Sequence, residues 1–182
     1  MDSLLASTLL KLAIPVGFGA LALFLSAKRG MSLRDDIGFC RPRALAIVGW
    51  IGFWLVWIVA SEWIINNFGL EQAKPWPNYP FLILAIRVVA IGLAGPLAEE
   101  LVMRGVIFFR LRKTSLGPYG AILVTAIFWA AMHYSYGIET LALVALDGVI
   151  LGLARYKSGS LWIPIAMHVI GNLISIAQSL SM

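Results

Sequence analysis

The chain has 182 residues, of which 60% are hydrophobic and only 13% are charged. Soluble domains carry roughly 45–50% apolar and about 25% charged residues, so this composition excludes an ordinary water-soluble fold. Disorder and coiled coil are excluded as well, because apolar residues dominate and no repeat of fixed period occurs. The length suits one domain. We therefore predict a single integral membrane domain over residues 1–182.

The formal net charge of +5 would by itself also suit a nucleic-acid-binding protein. The basic residues, however, form short clusters between apolar runs, as they do in polytopic membrane proteins. No recognition motif accompanies the charge, so we expect no nucleic-acid partner. The single Cys40 excludes an internal disulfide and a multi-cysteine metal site.

Six apolar runs predict an all-α, polytopic membrane helix bundle of about six spans, since a spanning helix needs about 20 mostly apolar residues. The runs cover residues 4–26, 44–66, 80–112, 119–134, 140–155 and 160–180. The third run is too long for one straight span at about 1.5 Å per residue. Gly95 and Pro96 interrupt it, so we expect it to kink or divide there. The first run lacks a basic start and carries Lys11, which favours a retained helix over a signal peptide.

Charges in the connections predict the orientation of the spans. Three connections are basic and hold Lys28, Arg29, Arg34, Arg41 and Arg43, then Arg110, Arg112 and Lys113, then Arg155 and Lys157. The N-terminus and the other connections hold Asp2, Glu71, Lys74 and Glu139. The positive-inside rule then places the basic connections in the cytoplasm and both termini outside. In a bacterium the membrane would be the cell membrane.

Several of the ionisable side chains inside the apolar runs are candidates for function. Together with one amide they are Arg87, Glu99, Glu100, Arg104, His133, Asp147, His168 and Asn172. A charge in the hydrocarbon costs about 2.5–3.5 kcal/mol on insertion scales, so such residues are functional hypotheses by default. Glu100 and Arg104 are four apart and can form an ion pair. Glu99 is turned by about 100° from Glu100 and is free to face a cavity.

These residue types match the needs of peptide hydrolysis inside the bilayer. A carboxylate in a low-dielectric cavity can act as a general base, and a histidine can orient the attacking water. An amide beside a second histidine, as in His168 and Asn172, can donate hydrogen bonds to an oxyanion.

Structural interpretations stay open beside this one. Glu100 with Arg104 can be a purely structural ion pair, and a lone histidine can be a packing residue. Asp147 can pair with Arg87 or line the cavity. The Trp-rich stretch 50–63 suits packing and an interfacial belt.

Three motifs occur in order along the second half of the chain. Residues 99–104 read as EExxxR, 129–133 look like FxxxH, and 168–172 read as HxxxN. This order resembles the CPBP (CAAX protease and bacteriocin-processing, Abi) family of intramembrane glutamic endopeptidases. The resemblance covers residues 95–172 and implies a catalytic core at about 80–182.

The resemblance implies a role for each matched residue. Glu99 would be the general base on the attacking water, and His133 would help to hold that water. His168 and Asn172 would stabilise the oxyanion.

The remaining matched positions would support the site. The resemblance implies that Glu100 and Arg104 orient it, within a helical bundle that encloses a catalytic cavity. The partners would be the lipid bilayer and a membrane-bound or lipidated peptide, cut near the membrane end. Trp129 stands where the motif has phenylalanine, and we expect its bulkier ring to reshape the substrate pocket.

Other functions remain as alternatives. Glu99, His133 and His168 could ligate zinc in a zinc-dependent protease, although no HExxH helix is present and the resemblance favours a mechanism without a cofactor. A non-enzymatic immunity or scaffold protein could keep the same fold. A small transporter could use Glu99, Arg104 and Asp147, but the six spans show no inverted repeat.

Overall fold

The computed structural model describes residues 2–70 and 75–181, so the predicted connection charges Glu71 and Lys74 lie outside the described residues. Within this part the chain is helical and contains no strand. The six helices are α1 Asp2–Lys28, α2 Ala44–Phe68, α3 Phe81–Leu111, α4 Gly117–Ala131, α5 Ile138–Ser158 and α6 Trp162–Ser181. A π-helical turn, Leu33–Ile37, lies between α1 and α2. The predicted all-α architecture is confirmed.

Four of the described helices, α1, α2, α3 and α6, are long and apolar enough to cross a membrane. In α1 and α2 only 6% of the most apolar window is buried against protein, so their outer faces need an apolar solvent. The helix α4 is apolar but has only 15 residues. The helix α5 carries acidic and basic residues along its length. A helical membrane bundle is confirmed, whereas the number of six spans stays a prediction.

The long helix α3 does not divide at Gly95 and Pro96. The irregularity instead takes the form of two π-helical segments, Ala90–Ala94 and Leu101–Ile107, on either side of a short α-helical stretch. Gly95 donates its N–H to the carbonyl of Ala90, five residues earlier. π-helical turns of this kind are frequent at functional sites, and here they bracket the two glutamates of the first motif.

Glycines let α4 and α5 approach each other closely. A Cβ on Gly148 would lie 2.9 Å from the Cα of Ala126, and a Cβ on Gly152 would lie 2.9 Å from Ile122. Neither position therefore has room for a side chain. This contact also brings the backbone of Gly148 to α3, where its carbonyl accepts a hydrogen bond from Arg104.

We expect Gly148→Ala to lower the free energy of unfolding by about 1–3 kcal/mol, because the added methyl group meets the backbone of Ala126. Gly49→Ala on α2 is the matched control, since nothing lies within 4 Å of its Cβ, and it should be neutral or stabilise by about 0.5–1 kcal/mol. Thermal unfolding in detergent micelles compares the two. Equal midpoints would contradict the close α4–α5 contact.

Candidate active site

A cavity of about 1400 Å³ lies inside the bundle and is lined by residues of all six helices. The predicted site residues that line it are Glu99, His133, His168 and Asn172. They come from α3, from the turn after α4 and from α6. Glu100 and Arg104 do not line the cavity and have no solvent exposure. The fold therefore brings the three motifs together, four residues on the cavity and two behind its wall.

Behind the cavity wall, the carboxylate of Glu100 joins two helices. Its Oε1 accepts hydrogen bonds from Nη1 of Arg104 at 2.7 Å and from Nδ1 of His168 at 3.0 Å. Nη2 of Arg104 donates to the carbonyl of Gly148 at 3.1 Å. The predicted Glu100–Arg104 ion pair is confirmed, and its contacts link α3 to both α5 and α6.

Glu99 has different surroundings from its neighbour Glu100. Its side chain is half-buried and lines the cavity, and Oε2 accepts a hydrogen bond from Nε1 of Trp129 at 2.7 Å. The predicted angular separation of consecutive helical residues therefore places one carboxylate inside the protein and the other on the cavity.

Both imidazoles contact the ring of Trp129. The centroid of its ring is 5.1 Å from that of His133 and 5.2 Å from that of His168, both in edge-on arrangements. Nδ1 of His133 lies 3.0 Å from the carbonyl oxygen of Trp129, and Nδ1 of His168 binds Glu100. A carbonyl and a carboxylate only accept, so Nδ1 carries the proton in each ring. In a neutral ring Nε2 is then an acceptor.

Pro96 explains how Asn172 is held. The carbonyl of Ile91 accepts a hydrogen bond from Nδ2 of Asn172 at 2.8 Å. In the π-helical segment Gly95 bonds to Ala90, and the next residue, Pro96, has no N–H to donate. The carbonyl of Ile91 is thus left for a side chain of α6. The amide nitrogen of Asn172 carries a second hydrogen, so it can still donate to a ligand.

Asp147 lines the cavity, as one of its two structural interpretations predicts. It accepts a hydrogen bond from Nε1 of Trp57 at 2.5 Å. The alternative pairing with Arg87 is wrong, because Arg87 donates to Oγ1 of Thr8 at 3.0 Å and lies over the ring of Tyr79 at 4.4 Å. One indole of the Trp-rich stretch is therefore a donor to a cavity carboxylate.

The sequence analysis missed both indole donors. A signal existed for Trp129, since a buried indole N–H needs an acceptor and this residue lies within a motif. Trp57 gave no such signal, because it is one of four tryptophans between residues 50 and 63.

A zinc-dependent protease needs a set of metal ligands, and the part of the chain that the structure describes contains none. No group of three or more His, Cys, Asp or Glu side chains there could hold a metal ion. Glu99, His133 and His168 share a cavity without converging on one point, as a zinc site requires.

Comparison with known protein families shows which family the chain belongs to. Residues 79–174, more than half of its length, match the type II CAAX prenyl endopeptidase Rce1-like family. The chain belongs to this family. The matched range includes all three motifs, and the resemblance to the CPBP family is confirmed.

One relative is similar to part of the chain. An uncharacterized 24.3 kDa protein of Escherichia coli is 30% identical over an alignment of 128 residues, and the alignment covers 64% of this chain and 58% of the relative. The match thus spans less than two thirds of the relative's length. No solved structure matches the chain.

We expect Arg104→Met to lower the free energy of unfolding by about 3–5 kcal/mol, because it leaves the Glu100 carboxylate buried without a compensating charge. Adding Glu100→Gln should recover part of this loss, since no buried charge then remains. Thermal unfolding of the two proteins in detergent measures the difference. If the double variant unfolds no later than Arg104→Met, an unpaired charge is not the cause of the loss.

Proposed function

We propose that this protein is an intramembrane glutamic endopeptidase that hydrolyses a peptide bond near the membrane end of a membrane-bound or lipidated substrate. Membership of the Rce1-like family supports protease activity in general. The observation that carries the finer proposal is one cavity, inside apolar helices, lined by Glu99, both histidines and Asn172.

The first step of the proposed reaction is the activation of a water molecule. Glu99 accepts a proton from the water while the oxygen of the water bonds to the carbonyl carbon of the substrate. Nδ1 of His133 is occupied by a backbone carbonyl, so Nε2 is the nitrogen that can accept a hydrogen bond from the same water. The product of this step is a tetrahedral intermediate with an oxyanion.

The second step needs donors to the oxyanion and a proton for the leaving amine. The second N–H of Asn172 is one donor, and Nε2 of a doubly protonated His168 is another. The carboxylate of Glu100 binds Nδ1 of His168, which leaves Nε2 as the nitrogen that can donate to the oxyanion. The intermediate then collapses, the C–N bond breaks, and Glu99 returns its proton to the amine.

The proposed mechanism requires no cofactor. We place the basic connections in the cytoplasm and both termini outside, following the positive-inside rule. The family is described as CAAX prenyl endopeptidases, so a farnesylated CAAX peptide is the first substrate to test.

We expect Glu99→Gln to lower kcat by about 10²–10⁴-fold, because glutamine cannot accept the proton of the water. Glu62→Gln is the matched control, since Glu62 also lines the cavity, from α2, and has no place in the proposed reaction. The assay follows cleavage of a fluorescent farnesylated CAAX peptide in liposomes, with thermal unfolding as the measure of folding.

Two outcomes would contradict the proposed function. One is a Glu99→Gln protein that cleaves as fast as Glu62→Gln. The other is a folded wild-type protein that cleaves neither the farnesylated peptide nor a set of unprenylated membrane-spanning peptides, which would favour the immunity or scaffold alternative.

Cleavage should also survive treatment with 1,10-phenanthroline and should not rise when zinc is added, because the described residues offer no metal-binding group. Metal analysis of the treated protein shows whether removal was complete, and a zinc protease treated in parallel confirms that the chelator works. Loss of activity on chelation, restored by zinc, would establish the zinc-dependent alternative instead.

A further inference from the structure

The indole of Trp129 contacts a carboxylate, two imidazoles and a guanidinium of the candidate site. It is only 5% exposed, and its N–H donates to Glu99 at 2.7 Å. Its ring makes T-shaped contacts with the imidazoles of His133 and His168. The guanidinium carbon of Arg104 lies 4.9 Å from the ring centroid.

The hydrogen bond to Glu99 is specific to tryptophan at this position. A phenylalanine, as in the FxxxH pattern, could supply the ring contacts but has no N–H. The bond is 2.7 Å long, and hydrogen bonds to an ionised acceptor are roughly twice as strong as neutral ones. Its acceptor is the carboxylate that the proposed mechanism uses as the base.

The other carboxylate oxygen of Glu99 lies beside Gly95. A Cβ built on Gly95 would be 3.7 Å from Oε1 of Glu99, and both residues line the cavity. The missing side chain at Gly95 leaves space next to Oε1. The two oxygens therefore have separate surroundings, since Oε2 accepts the indole N–H and Oε1 lies on the side of Gly95.

The indole is itself held in place from two sides. The guanidinium of Arg104 lies over its face, a cation–π contact. On the α5 side, the Cβ position of Gly148 is 3.3 Å from Cε3 of Trp129, so the backbone of α5 packs directly against the ring. The buried ion pair of Arg104 and Glu100 thus reaches Glu99 through Trp129.

We propose that Trp129 is a positioning residue, whose indole N–H fixes the Glu99 carboxylate so that Oε1 receives the proton of the attacking water. This inference rests on the proposed function. Fixing a glutamate side chain costs rotamer freedom. The hydrogen bond from the indole fixes the Glu99 side chain in the folded protein, before the substrate binds, so this freedom is not lost during the reaction.

The test compares Trp129→Phe with Trp54→Phe. Trp54 is a matched control, because it is 4% exposed, reaches the same cavity, and has no hydrogen-bond partner for Nε1 among the described residues. With the farnesylated CAAX peptide, Trp129→Phe should lower kcat by about 10–100-fold, the effect of one hydrogen bond to a charged group, with KM within about two-fold. Trp54→Phe should keep kcat within about two-fold.

A double-mutant comparison separates positioning from packing. In the Glu99→Gln background, single-turnover cleavage should not fall further when Trp129→Phe is added, since the base that the indole positions is gone. An equal fall of kcat in both backgrounds would overturn the proposal. A Trp129→Phe protein with the same kcat as Trp54→Phe would overturn it as well.

Two further comparisons cover the cases in which Trp129→Phe does not fold or the proposed function is wrong. If Trp129→Phe does not fold, benzothienylalanine at position 129 replaces only the N–H by sulfur and retains the bicyclic ring, with the same expected fall in kcat. Should Glu99→Gln cleave like wild type, the proposed function and this inference both fail. An inactive Glu99→Gln together with a fully active Trp129 variant overturns the inference alone.

Discussion

The buried ion pair of Glu100 and Arg104 is the interaction on which the arrangement of the site depends. Neither side chain has any solvent exposure, so each charge needs the other, and losing one would leave an uncompensated charge in the interior. The pair also holds Nδ1 of His168 and the carbonyl of Gly148. Through these bonds it sets the positions of α5 and α6 relative to α3, and thereby the shape of the cavity between them.

The irregular backbone of α3 serves the same site. A continuous α-helix would bond the N–H of residue 95 to the carbonyl of Ile91. The π-helical turn sends that N–H to Ala90 instead, and Pro96 cannot replace it. The carbonyl of Ile91 then binds Asn172, so a proline that would weaken an isolated helix contributes a helix-to-helix contact beside the cavity.

Composition and apolar runs were enough to predict the helices. The run 44–66 became α2, Ala44–Phe68, and the run 160–180 became α6, Trp162–Ser181, because charged residues, glycine and proline mark the ends of such runs. The ion pair of Glu100 with Arg104 was also predictable, since residues four apart on a helix are neighbours whatever the tertiary structure.

Contacts between distant helices were not predictable from this sequence. Trp129 and Glu99 are 30 residues apart, and Trp57 and Asp147 are 90 apart. In a soluble protein, an apolar stripe along a helix shows which face packs against its neighbours. Helices in a membrane are apolar nearly all round, so they carry little such signal. The π-helical segments add to the difficulty, because they change the angular positions of the residues that follow them.

The buried carboxylate and the carboxylates on the cavity accept hydrogen bonds from different kinds of donor. Glu100 lies outside the cavity and is held by a guanidinium, whose positive charge neutralises it. The two carboxylates on the cavity that accept indole hydrogen bonds, Glu99 and Asp147, have neutral donors instead. Either kind of donor favours the ionised carboxylate, but a cation in direct contact would reduce its tendency to take a proton further than a neutral donor does. An indole N–H fixes the geometry without adding a charge, which suits the role of general base that we propose for Glu99.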